Sequence, residues 1–231
     1  MRGNALRYAG WQIWDWTGPR VLTALFISVG FLTLVRLGVT SDNPPPPEQF
    51  RILLAQFHQN LAFIWVLVLT HGVVSEDRTR GYYRFYLAKP AAPTWFYGQH
   101  VLLAFAGALV ASAGYVIAGS LLVRPLWHWA LLENTVALFA LFGMLVVFFS
   151  TLVRHDWIFA IVVLIAGAVA RQRWNTDTTV GKIINVVLPP NHRIGWRQDL
   201  DAVEWAWIGG WALGLFLLSL LILRLRPLGE D

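Results

Sequence analysis

The sequence predicts an all-α integral membrane protein, on three observations. Hydrophobic residues make up 57% of the 231 positions and charged residues only 13%, whereas a soluble domain carries about 25% charged residues. The apolar residues gather into six runs parted by polar loops, and a helix needs about 20 apolar residues to cross the hydrocarbon core. The tryptophans mark the ends of these runs: of 13, only Trp65 and Trp211 fall well inside one. Indole settles at the headgroup level, where its ring is buried and its N–H is wet.

Taken in order, the chain opens with Asn4–Trp16. Leu6, Ala9, Ile13 and Trp16 share one helical face, and Asn4, Arg7, Gln12 and Asp15 the other. This pattern predicts an amphipathic helix lying in the interface within residues 1–19, ended by Gly18-Pro19. No secretory signal peptide is expected, because the first apolar run starts late, has the length of a span and is followed by no A-x-A-like site. The spans are expected at Val21–Val39, Leu54–Val74, Val101–Val123, Thr135–Val153, Trp157–Ala170 and Trp205–Leu223. The second fits only with Gln56, His58, Gln59 and Asn60 near one interface. The fifth is short unless it runs on to about Trp174 with Arg171 and Arg173 snorkelling.

Six spans put both termini on one side of the membrane. That side carries ten cations (Arg2, Arg7, Arg20, Arg78, Arg80, Arg84, Lys89, Arg154, Arg224, Arg226) against eight on the other. The excess orients the termini to the cytoplasm, and the plasma membrane of a bacterium is the expected location. The first outer loop holds the polyproline spacer Pro44–Pro47. The connection 171–204 is long and mixed. Its apolar stretch Val180–Leu188 is read as a short helix ending at Pro189-Pro190.

Catalytic machinery is not visible. No cysteine is present, which removes thiolate chemistry, disulfides and iron–sulfur ligation. Thr176 stands where a phosphate loop ending at Gly181-Lys182 needs its first glycine. Neither G-x-G-x-x-G, H-E-x-x-H nor G-x-S-x-G occurs. The net charge of +5 reads as orientation signal and headgroup contact rather than nucleic-acid binding. His58 and His71 lie 13 residues apart, about 20 Å along one helix, too far to share an ion. No metal site is expected. Buried charge of the kind that marks a proton or ion path is nearly absent. The second span is the most polar, and His58, Asn60, Phe63 and Thr70 are its candidates for lining a pathway; interhelical hydrogen bonding would account for them equally well.

One long polar, basic stretch interrupts the apolar runs, within 75–95 between the second and third spans. Glu76-Asp77 leaves the membrane, and Arg78, Arg80 and Arg84 follow. Tyr82, Tyr83, Phe85, Tyr86 and Leu87 form an aromatic cluster, Lys89-Pro90 ends it and Trp95 re-enters the bilayer. A helix over Thr79–Ala88 is too short to persist alone in water. It is expected to pack on headgroups or on another protein, with charge setting register and aromatic area filling a pocket.

This stretch resembles the loop between the second and third spans of ABC-2 type ATP-binding cassette exporter permeases. There an acidic residue, a glycine, a leucine and a proline recur in order, as Glu76, Gly81, Leu87 and Pro90 do here. The layout is also similar: interfacial helix, six spans, long last outer connection and basic tail. Tyr82-Tyr83 depart from the small-polar and aliphatic pair of that family, and Arg84 stands where an acid is common. The resemblance implies a single permease domain over 1–231 that is no enzyme and holds no cofactor. It implies a partner ATPase carrying ATP and Mg, docked under a cytoplasmic coupling helix formed by Glu76, Arg78, Arg80, Gly81, Tyr82, Tyr83, Arg84, Phe85, Leu87 and Pro90. A second permease copy or a homologue would complete the pathway. Two other readings fit the composition: a haem-binding or redox protein using His58, His71 or His100, and a membrane assembly factor.

Overall fold

The computed structural model describes residues 10–39, 47–76, 93–123, 129–173, 178–179, 181–182 and 200–225. These are helical nearly throughout, with no strand among them. Among the described residues five helices are long and apolar enough to cross a membrane: Gly10–Gly38, Gln49–Thr70, Trp95–Leu122, Trp129–Leu152 and Ala202–Leu225. The segment expected as the fifth span forms a helix whose apolar part, Asp156–Ala170, is shorter.

The expected break at Gly18-Pro19 is not there. Residues 10–12 run through a π turn, Ile13–Thr17, directly into α1, Gly18–Val39. Proline lacks an N–H, and its ring collides with the carbonyl four residues back in a regular helix. The π turn widens the ladder just upstream, with the Gly18 amide donating to Ile13 O. A Cβ at Gly18 would lie 2.6 Å from that oxygen, so glycine is what lets the ladder close there. Residues 1–9 of the expected interfacial helix lie outside the described residues.

Two helices begin earlier than their apolar runs because proline opens them: α2 is Pro47–Thr70 and α3 is Pro93–Leu122. Proline suits the first helical turn, where its missing N–H leaves no bond unmade. The second span therefore sits N-terminal of its expected bounds. It ends at Thr70, and Gly72, at φ 78°, turns the chain out of the helix. The fourth apolar run holds α4, Trp129–Leu138, a π turn Phe139–Gly143 and α5, Met144–Leu152. It is followed by α6, Asp156–Arg173, and α7, Ala202–Leu225. Asp201 and Glu204 cap α7 reciprocally: the Glu204 amide donates to Asp201 Oδ1 at 2.7 Å and the Asp201 amide to Glu204 Oε2 at 3.3 Å.

The helices fall into two compact units. The first gathers α1, α2 to Leu69, α3 from Leu102, and α4. Its core is built on small residues of α3: Ala104, Ala108 and Ala111 are fully buried. Gly107 is just as close-packed, since a Cβ there would lie 2.9 Å from Val21 and 3.2 Å from Leu69. In apolar surroundings such close backbone approach, rather than solvent exclusion, holds helices together. Arg20 lies 4.0 Å from the centre of the Trp16 ring and donates to Val68 O at 3.0 Å, satisfying a carbonyl in the last turn of α2.

The second unit gathers residues 70–76 and 93–101, the π turn, α5, α6 and α7. Val153 takes extended backbone and ends α5. Phe149 and Phe159, on α5 and α6, pack with ring centres 5.9 Å apart. Trp211 of α7 stacks on Trp207 and donates to Leu141 O at 3.4 Å. That carbonyl belongs to the π turn, where the regular ladder is interrupted.

Candidate functional site

The loop between the second and third span-length helices was the candidate site. Its first residue, Glu76, is described; Arg78, Arg80, Gly81, Tyr82, Tyr83, Arg84, Phe85, Leu87 and Pro90 lie outside the described residues. The structure shows how the chain is held as it enters that loop. Beyond Thr70 the backbone tightens into a turn, with the Val73 amide on Thr70 O at 3.5 Å and the Glu76 amide on Gly72 O at 3.2 Å. Val73, Val74 and Ser75 are buried.

Asp156, the first residue of α6, fastens this turn and is itself fully buried. Its Oδ1 meets His71 Nδ1 at 2.5 Å and accepts from the Trp157 amide at 2.7 Å. Its Oδ2 accepts from the Gly72 amide at 2.9 Å and from Ser75 Oγ at 3.3 Å. A carboxylate can only accept, so His71 carries its proton on Nδ1. Two further effects offset the cost of burying the charge. The N-terminus of α6 presents the positive end of its dipole, and charge-assisted bonds are about twice as strong as neutral ones. Gly72 is required here twice over. It takes a backbone angle that side chains disfavour, and a Cβ would lie 2.6 Å from Glu76 Cγ.

The four residues expected to line a pathway divide. His58 and Thr70 are fully buried, whereas Asn60 is exposed and Phe63 half-buried. His58 and Thr70 stand 12 positions apart on α2, about 18 Å along the axis. Rather than meeting one another, they serve different surroundings. Asn60 shares an open face of α2 with Gln49, Gln56 and Ile64.

His58 belongs to a buried polar chain inside the first unit. Its Nε2 lies 2.8 Å from Ser112 Oγ on α3, and Ser112 Oγ lies 3.0 Å from Thr135 Oγ1 on α4. Thr135 Oγ1 is also 3.1 Å from Leu131 O. Thr135 O–H donates to Ser112 Oγ or to Leu131 O. His58 Nδ1 has no partner among the described residues, so the ring proton sits on Nε2 and donates to Ser112 Oγ; on Nδ1 it would be a stranded donor, the costlier loss. The His58 ring is enclosed by Trp65 and Tyr115, each with its centre 5.4 Å away. Tyr115 closes the group by donating to Leu54 O at 3.0 Å.

These geometries bear on the histidines proposed for haem. His58 uses Nε2 within the core, and His71 uses Nδ1 on Asp156. His100 is buried beside Phe96, with ring centres 5.9 Å apart. Among the described residues no three His, Cys, Asp or Glu side chains gather as metal ligands.

Asp156 was not singled out from the sequence. Two local signals pointed to it: an acid immediately before an apolar run marks a helix start, and glycine just past one marks a helix end. Under a six-span layout both ends lie on the same side of the membrane. No family model matches the chain, and neither a curated protein nor a solved structure is significantly similar to it.

Proposed function

We propose that the chain is the membrane-spanning subunit of an ABC-2 type exporter, with six spans, cytoplasmic termini and no catalytic activity of its own. The observation that carries this reading is the order Glu76, Gly81, Leu87, Pro90 between the second and third span-length helices. A separate ATPase, supplying ATP and Mg, docks under residues 76–90. Arg78, Arg80 and Glu76 set its register, and Tyr82, Tyr83 and Phe85 fill its pocket. A second copy or a homologue completes the pathway in the plasma membrane of a bacterium.

Two features lend support. A docking loop must pass on a push, and the chain entering this loop is tied to a buried carboxylate rather than left loose. A pathway needs polar groups within a span, and Gln56 and Asn60 lie on an open face of α2; polar groups on a spanning helix require water or another subunit.

Affinity purification of the tagged chain from its native membranes tests the proposal. An ATP-binding cassette ATPase should co-purify, and Arg80→Glu with Tyr83→Ala should release it. Recovery of the ATPase in undiminished amount with that double variant would overturn the docking role.

A further inference from the structure

We infer that Asp156 is a positioning residue that makes the turn 70–76 and the start of α6 a single moving part. Its consequence for transport rests on the function proposed above; the joint itself rests on geometry alone. Covalently, turn and helix are remote, since Asp156 follows Ser75 by 81 positions. Yet one carboxylate gathers the Gly72 amide, the Ser75 hydroxyl, the His71 imidazole and the Trp157 amide in the first turn of α6. Three donors come from the turn and one from the helix, so neither side can shift without breaking bonds of the other.

The surroundings make the joint stiff. Gly72 is fixed at φ 78° with the Glu76 side chain against it. Val73, Val74 and Asp156 are buried, which keeps water from replacing a broken bond cheaply. Displacement of the turn therefore has two outcomes: α6 follows, or a buried charge loses its partners. The second is strongly disfavoured. In the exporter reading the ATPase pushes on the chain just beyond Glu76. The helix that responds first is then α6, through Asp156, together with α2, which is covalently joined to the turn.

Hydrogen exchange on the purified chain in nanodiscs tests the joint, because a joint must act in both directions. His71→Gln with Ser75→Ala alters only the turn. It should nevertheless raise exchange in the first turns of α6, Trp157–Leu164, by about tenfold or more. Asp156→Asn should raise exchange in 70–76 and in 157–164 together. Exchange in 157–164 within about twofold of the unsubstituted chain, in the turn double variant, would overturn the inference. If Asp156→Asn does not fold, Ser75→Ala alone gives the same comparison at smaller amplitude.

A second arm separates the joint from the transporter reading. In complexes isolated through the tagged chain, Asp156→Asn should keep the ATPase bound and cut its ATP hydrolysis by about tenfold, the loss expected for a coupling rather than a docking residue. A residue that only stabilises the fold would lower the amount of complex and leave the activity of what remains unchanged, which counts against the inference. If the unsubstituted chain brings down no ATPase, the transporter reading falls, while the exchange result still decides the joint.

Discussion

His71 and Asp156 stand 85 positions apart in the chain and 2.5 Å apart in space, imidazole nitrogen to carboxylate oxygen. The histidine side chain keeps about a third of its surface open, at 36%, while the aspartate keeps none. The pair thus has one wet member and one dry one. A dry charge is tolerated only where its hydrogen bonds are complete, and here four donors complete them.

Replacing Asp156 by alanine should be the most damaging single change in the second unit. It leaves the Gly72 amide buried without an acceptor and takes one hydrogen-bond partner from Ser75, a loss of about 3 kcal/mol. Ser75→Ala removes only one donor and should cost about 1 kcal/mol. Thermal unfolding in detergent ranks the two, and equal midpoints would contradict the assignment.

Gly72→Ala should destabilise through the backbone. The residue adopts positive φ, which costs a side chain about 1–2 kcal/mol, and its new methyl meets Glu76. Adding Glu76→Ala removes the side-chain clash but not the φ penalty, so the double variant should recover part of the loss in unfolding midpoint and not all of it.

The relay from His58 to Leu131 should behave as one unit. Ser112→Ala removes its middle member and leaves His58 Nε2–H buried without a partner, at about 1–3 kcal/mol. Thr135→Val keeps the shape and loses one hydroxyl. A double-mutant cycle should show the pair to be non-additive by about 0.5 kcal/mol or more. Strict additivity would mean that the hydroxyls do not share their protons.

Gly107 is a close-approach position, so bulk there should act on the first unit. Leucine in its place meets Val21 and Leu69 at once and should cost about 1–3 kcal/mol through overpacking. Leucine at Gly210, where an added Cβ would meet nothing within 4 Å, should leave the unfolding midpoint of the monomeric chain unchanged.

Much of the helical plan was legible in the sequence, because apolar runs of span length carry their own signal. Their boundaries were harder. Pro47 and Pro93 read as loop residues although each opens a helix, and Gly18-Pro19 reads as a break although a π turn carries the ladder past it. The box Asp201-x-x-Glu204 was a readable start signal for α7. The candidate site was legible only at its edge. Glu76 could be named from its loop, but Asp156 owes its role to partners far away in sequence, and no local pattern encodes such a meeting. The same holds for His58, which reads as a polar intruder near an interface and is instead paired with Ser112.

The π turn at Ile13–Thr17 holds one residue more than a regular helical turn would. A π turn is a regular helix with one residue inserted, so removing a single residue there would let the coil rewind with its flanking faces nearly in register. Gln12, fully enclosed, would keep its place in the interior. A one-residue deletion in this stretch should consequently disturb the first unit less than the same deletion within α1, where everything upstream would swing by about 100° around the axis.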